Sequence, residues 1–207
     1  MKGLFITFEG LDGSGKTTQI NLLCSYLKGK GHEVISTIEP GGTEVGQKIR
    51  KILLNTEGLN ITPKAETFLF LASRAELVSK VINPAMDEGK IIICDRFFDS
   101  TIVYQGIARN LGKKKILDMS LWATGSLVPD ITFLLSVRAD EGEIRKKGME
   151  ADRMEKEESE FKKKVYEGYL ELARDFPERF VVIDGEKDIE SIFGIIKDRV
   201  EKELKDR

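Results

Sequence analysis

Histidine occurs once, cysteine twice and glutamine three times in 207 residues, and each shortage closes off some chemistry. The single histidine, His32, directly follows Lys28-Gly29-Lys30-Gly31 in a solvated turn. A mechanism resting on a histidine base, or a histidine-rich zinc site, is therefore excluded. Cys24 and Cys94 have no C-x-x-C spacing and no histidine partner. Cys94 ends an apolar run, which reads as a buried, inert thiol, and the cytoplasm follows as the expected compartment. No apolar stretch is long enough to span a bilayer, and the N-terminus carries no signal-peptide pattern. Positive charge is not in excess either: 33 basic residues stand against 35 acidic ones, a net of −2, which argues against a grip on long nucleic acid. The scarcity of glutamine (positions 19, 47 and 105) beside abundant Glu and Lys is a bias shared with heat-adapted proteins.

What is present is more specific. Gly10-Leu11-Asp12-Gly13-Ser14-Gly15-Lys16-Thr17 fits G-x-x-x-x-G-K-[ST], with Thr18 following. The β-forming run Leu4–Phe8 precedes it and a helical pattern, Lys16–Lys28, follows. That strand–loop–helix context is what a phosphate-cradling loop requires. Glycines let backbone N–H groups turn toward phosphate oxygens, and the helix presents its positive end there. Lys16 can reach the β- and γ-phosphates, and the Thr17 hydroxyl can ligate Mg²⁺. The chain is expected to bind a nucleoside triphosphate.

Apolar runs recur at Glu33–Ile38, Lys90–Cys94, Ile131–Val137 and Phe180–Ile183. Helical patterns fall between them: Val45–Leu54, Ala65–Met86, Ser100–Arg109, Lys114–Ala123, Ser159–Arg174 and Asp188–Leu204. This alternation predicts an α/β fold of the P-loop NTPase kind: a three-layer α/β/α sandwich, a five-stranded parallel sheet with helices on both faces. With 41% hydrophobic residues, no repeat and no long linker, residues 1–207 read as one domain. The run Asp140–Glu160 breaks the pattern, being dense in charge and poor in core residues. Two readings fit it. One is a solvated helical surface; the other is a lid at about 140–158 carrying Arg145, Lys146, Lys147 and Arg153 over the triphosphate.

Asp95 and Arg96 directly follow the apolar strand Ile91–Cys94. Asp95 could hold Mg²⁺ or its waters, or could simply be a helix N-terminal acid. Arg96 at a buried strand end needs an acceptor, and its fork suits a phosphate. A phosphate acceptor is already ionised near neutral pH, with a second pKa of about 6, and so needs no general base. Catalysis then reduces to aligning two anions and neutralising charge. Phe70 and Arg74, four apart on one helix face, could stack on a nucleobase and donate to its edge, although aromatics at helical spacing are also core residues. Tyr104 beside Gln105 repeats the theme.

Taken in order, Phe8 to Gln19, Glu39-Pro40-Gly41-Gly42-Thr43, Phe70 with Arg74, Asp95-Arg96, Thr101 to Gly106, Pro129-Asp130 and Asp152-Arg153 resemble the bacterial thymidylate kinases over nearly the whole chain. The resemblance implies ATP + dTMP → ADP + dTDP with Mg²⁺, in a homodimer to which the helix from Ala65 contributes. It implies that Arg96 holds the dTMP phosphate, that Asp95 works beside the metal and that Asp12 sits near the deoxyribose 3′-OH. It further implies that Phe70 stacks on thymine, Arg74 donates to its O4, Thr101 and Gln105 bound the base, and Tyr104 crowds the place of a ribose 2′-OH. Glu39 and Arg50 are implied near the same nucleotide. Gly13 stands where some members carry a catalytic arginine, so the lid type is implied, with Arg153 and Arg145 supplying the cations. Ile38 departs from the arginine usual before Glu39-Pro40, and the lid is unusually acidic. Two other functions fit parts of the sequence: a different nucleoside monophosphate kinase of this fold, and a non-catalytic P-loop switch. The switch lacks downstream N-K-x-D and D-x-x-G elements and leaves Arg96 without a purpose.

Overall fold

The computed structural model describes residues 3–54, 59–138, 153, 157 and 159–207. Five strands, β1 (Leu4–Glu9), β2 (Val34–Ile38), β3 (Ile91–Asp95), β4 (Ile131–Ser136) and β5 (Phe180–Asp184), form one all-parallel sheet in the order β2-β3-β1-β4-β5. The expected strands are all present, with ends displaced by a residue or so. Continuous apolar runs form them because both faces are covered. Leu4, Ile6 and Phe8 of β1 point to one face, where Ile91, Ile93, Ile131, Phe133 and Leu135 join them under α1 (Lys16–Gly29) and the C-terminal helix Ile189–Lys205. Phe5, Ile92, Cys94 and Leu134 point to the other, toward the remaining helices. The two faces thus give the three layers that strand–helix alternation predicted.

Helix α2 (Glu44–Leu54) precedes α3 (Pro63–Leu77), whose start is set by Pro63 in the first turn and by Thr62, whose hydroxyl accepts from the Ala65 N–H. A π-helical turn, Val78–Ile82, joins α3 to α4 (Asn83–Asp87), so the expected helix from Ala65 to Met86 is one run with a wider turn inside it. The stretch expected as an α-helix over Ser100–Arg109 differs more. A short α5 (Phe98–Thr101) passes into a π-helix, Ile102–Ala108, closed by the Arg109 N–H donating to the Tyr104 carbonyl five residues back at 2.9 Å. Such windings concentrate at functional sites, and this one carries Tyr104 and Gln105. The last elements are α6 (Lys113–Thr124), α7 (Ser159–Asp175) and α8 (Ile189–Lys205).

Because the strands are parallel, Glu9, Ile38, Asp95, Ser136 and Asp184 all end on one edge of the sheet. Ligands of open α/β sheets bind outside that edge. The opposite edge is fastened by Asp130, which accepts the Phe5 N–H at 2.7 Å and pairs with Arg207. The Pro129-Asp130 motif is in this respect structural. His32 is exposed, and both cysteines are free and buried. No described helix is long and apolar enough to cross a membrane.

Candidate active site

The loop from Gly10 to Gly15 leaves β1 through three glycines with positive φ: Gly10 at 133°, Gly13 at 78° and Gly15 at 94°. A Cβ at Gly10 would stand 2.4 Å from the Leu135 carbonyl oxygen, so only glycine lets the loop cross β4 there. Gly15 caps α1, and a Cβ on it would meet nothing within 4 Å, leaving the first N–H groups of the helix open to a ligand. Leu11 and Ser14 are buried beneath the loop, whereas the Thr17 and Thr18 side chains lie exposed at its mouth. Lys16 is nine-tenths buried, and its Nζ donates to the carbonyls of Gly10 (3.1 Å) and Leu11 (2.9 Å). Burial, then the Arg96 charge, lowers its pKa to about 8, while Asp12, Asp95 and Glu9 work in the other direction.

Arg96 closes the opposite side. Its backbone holds a φ of 69°, in the left-handed region that costs a non-glycine residue of order 1 kcal/mol. Its N–H donates to Phe8 (2.9 Å), and its carbonyl accepts from the Cys94 thiol (3.0 Å). The guanidinium donates from Nη2 to Asp12 at 2.8 Å and from Nη1 to Ser100 Oγ and Tyr169 Oη, each at 3.1 Å, and it lies over the Tyr104 ring. These bonds use three of five N–H donors. The acceptor that sequence reasoning demanded for Arg96 is therefore a carboxylate and two hydroxyls, with two donors left over.

Asp95 is half-buried at the end of β3 and makes no ion pair among the described contacts, although it lies close enough to act on Lys16. Among the described residues no group of three or more His, Cys, Asp or Glu side chains could hold a metal by itself. A hard cation bound by one carboxylate, one hydroxyl and phosphate oxygens needs no such group, and the Thr17–Asp95 donor set has the oxygen chemistry of Mg²⁺.

On α3 and the adjoining helices lies a cluster of buried polar side chains that includes Glu66, Arg74, Thr101 and Gln105. Arg74 is 1% exposed and donates from Nε to Glu39 Oε2 (2.9 Å) and from Nη2 to Thr101 (2.7 Å). Glu39 Oε1 is 2.6 Å from Nη2 but out of line for a hydrogen bond. Burial raises the Glu39 pKa, with Arg74 pulling against it. Arg74 Nη1 is buried with no hydrogen-bond partner among the described residues. Phe70, one turn earlier, is half-buried, and Arg50 donates to the Pro40 carbonyl (2.9 Å). Tyr104 is buried between Arg96, Phe161 and Tyr169, and its hydroxyl pKa is raised by that burial.

Gln105 does not present its amide nitrogen freely: Nε2 donates to Glu66 Oε1 at 2.7 Å. Glu66 is fully buried, and it also receives Arg109 and Arg153. Arg153 donates as well to the Leu53 carbonyl (2.8 Å), so these contacts of the expected lid cation lie at the α2–α3 side, outside the phosphate loop. Arg145 and Asp152 lie outside the described residues, as does most of the expected lid. Sequence reasoning passed over Glu9, Ser100, Tyr169, Glu66 and Arg109. An acid at the end of the apolar strand Phe5-Ile6-Thr7-Phe8-Glu9 was a usable signal for the first. Ser100 stands four residues after Arg96, and the remaining partners of these side chains are 39 to 160 residues away, where no spacing marks them.

The model of the family described as Thymidylate kinase matches residues 8–196. The chain is 48% identical over 205 residues to the thymidylate kinase of Caldanaerobacter subterraneus subsp. tengcongensis, covering 99% of this chain and 98% of that one. It is 47% identical over 201 residues to that of Thermosipho africanus, covering 97% and 99%. The crystal structure of thymidylate kinase from Ehrlichia chaffeensis superposes with a TM-score of 0.77 at 34% identity, covering 95% of this chain and 98% of the other.

Proposed function

The chain belongs to the thymidylate kinase family, and from that premise we propose how its side chains divide the transfer of a phosphoryl group from ATP to dTMP, giving ADP and dTDP. The N–H groups from Gly10 to Thr18 receive the triphosphate, and Lys16 exchanges two loop carbonyls for phosphate oxygens. An anion beside Lys16 favours the charged form that burial disfavours. Thr17 and Asp95 hold Mg²⁺, which supplies charge neutralisation at the β- and γ-phosphates.

On the acceptor side, the two N–H donors left on Arg96 hold the 5′-phosphate of dTMP, and Asp12 meets the 3′-OH. Thymine stacks on Phe70. The unpartnered Arg74 Nη1 donates to its O4, an acceptor that cytosine lacks. Thr101 and Gln105 bound the base, Tyr104 fills the space of a 2′-OH, and Glu39 and Arg50 support this wall. Arg153, joined by Arg145, adds lid cations once both nucleotides are in place. No general base takes part, since the attacking phosphate oxygen is already ionised. The same reading makes the chain one domain with a lid at about 140–158, a cytoplasmic enzyme and a homodimer. Phe68 on α3 and Trp122 on α6, 61% and 85% exposed on two helices in contact, supply the apolar surface for the second copy.

The observation that carries the reading is the fully buried Arg74 Nη1, which has no hydrogen-bond partner among the described residues. An unpaired charged donor there costs free energy unless a ligand carbonyl meets it. The test is phosphorylation of dTMP, dUMP, CMP and AMP side by side, with ATP consumption followed when no acceptor is added. Preference for dTMP is expected, with dUMP reduced by roughly 10- to 200-fold at most for its missing methyl. A preference for AMP, or turnover without an acceptor, would overturn the assignment.

A further inference from the structure

Glu9 takes no part in the scheme above, yet it sits at its centre. It ends β1 and is fully buried. Oε1 accepts the Phe97 N–H at 2.8 Å, and Oε2 accepts from two hydroxyls, Ser100 at 2.6 Å and Tyr169 at 2.8 Å. Those hydroxyls are 2.8 Å apart, and both are the groups that receive Arg96 Nη1 at 3.1 Å. The carboxylate and the guanidinium therefore lie on opposite sides of one hydroxyl pair.

Each hydroxyl has one hydrogen and two lone pairs. When both hydrogens point to Glu9, both oxygens turn lone pairs toward Arg96 and can only accept from it. A neutral acid or an amide at position 9 puts a hydrogen of its own into this cluster. At least one hydroxyl hydrogen must then turn away from position 9, toward its neighbour or toward Arg96. We propose that Glu9 is a positioning residue, whose carboxylate fixes the Ser100 and Tyr169 hydroxyls as acceptors and thereby aims the Arg96 guanidinium at the acceptor phosphate. The inference rests on the reading of Arg96 as the group that holds that phosphate.

Two further observations support it. The Arg96 backbone is in a strained left-handed conformation that belongs to neither the strand before it nor the helix after it. Its side-chain direction is set by the hydroxyl pair, Asp12 and the Tyr104 ring instead. Keeping a carboxylate here is also costly. Burial and the Asp99 charge push the Glu9 pKa up to about 7, against the pull of Arg96, Ser100 and the Phe97 N–H. The relay is therefore complete only where the carboxylate is ionised, at about pH 7 and above.

The test is steady-state kinetics on Glu9→Gln, Tyr169→Phe, the double variant and Arg96→Ala, with melting temperatures for each. Glu9→Gln should raise the KM for dTMP roughly 5- to 30-fold, part of what a well-aimed charged hydrogen bond contributes, and leave the KM for ATP within about twofold. The double variant should be no worse than Glu9→Gln, because both changes break one relay. Equal effects on both substrates, or effects of the two single changes that multiply, would refute the relay. If Arg96→Ala raises the dTMP KM while Glu9→Gln and Tyr169→Phe do not, the relay alone is wrong. If Arg96→Ala leaves it unchanged, the assignment of the acceptor phosphate fails first. Should Glu9→Gln not fold, Tyr169→Phe, which keeps the carboxylate, still decides between these outcomes.

Discussion

An Arg74→Lys variant should bind dTMP roughly 10- to 150-fold more weakly while binding ATP as before. Arg74 is enclosed on every side: Glu39 takes its Nε, Thr101 and Phe97 its Nη2, and the Phe97 ring lies 5.5 Å away. Only Nη1 is left, buried and without a hydrogen-bond partner among the described residues. A hydrogen bond from a charged donor contributes about 1.5–3 kcal/mol, and about 1.4 kcal/mol is tenfold in affinity, which sets the expected range. Lysine is the informative replacement. Its ammonium still neutralises Glu39, but it has no second nitrogen to send into the pocket. Alanine would instead leave the Glu39 carboxyl buried and unpaired, at a cost of roughly 3–5 kcal/mol in stability, and would mix folding with binding. Initial rates with each substrate varied at saturating levels of the other, beside a thermal melt, separate the two effects. A KM for ATP that rises by the same factor, or a dTMP KM within twofold of the parent, would show that Nη1 does not read the base.

Three other outcomes follow from the buried charges and the exposed apolar side chains. The Glu9 pKa, raised from 4.5 to about 7, means that the folded protein keeps a proton the unfolded chain has already lost. Stability should therefore fall as pH rises between about 4.5 and 7, by on the order of 3 kcal/mol from this group. In Glu9→Gln, unfolding by urea at pH 5 and pH 8 should show a correspondingly smaller fall, and an unchanged difference would refute this. Asp99→Ala strands Arg179, which is 5% exposed and donates to both Asp99 oxygens at 2.7 and 2.6 Å. A loss of roughly 3–5 kcal/mol, or about 6–20 °C in Tm, is expected, and a shift below 2 °C would contradict it. If the proposed homodimer forms through α3 and α6, the parent should sediment as a dimer and Trp122→Glu as a monomer; a dimer that persists unchanged would put the interface elsewhere.

The phosphate loop was legible because its chemistry is local: the glycines, Lys16 and Thr17 lie within eight positions of one another, and each is fixed by a backbone or ligand requirement. The strands were legible because burial on both faces leaves unbroken apolar runs. The winding of Ile102–Ala108 was not. Over seven residues an α-helix and a π-helix present almost the same apolar pattern, and the difference is decided by packing, here Gly106 against Ile116 and Lys113. The buried pairs failed for another reason. Arg179 is held by Asp99 and the Phe98 ring, some eighty residues earlier, as well as by its near neighbours Phe176 and Phe180, so no window of sequence contains the whole arrangement. Arg153 shows the limit from the other side. It was read as a cation of an acidic lid, but the carboxylate it meets, Glu66, looked like an ordinary acid in the first turn of α3. That carboxylate is fully buried, and it also takes the amide of Gln105. A residue that the sequence placed with the triphosphate and one that it placed with the base therefore converge on a side chain that neither motif includes. Function in this fold is carried by local motifs, but the orientation of their side chains is set by carboxylates supplied from a distance.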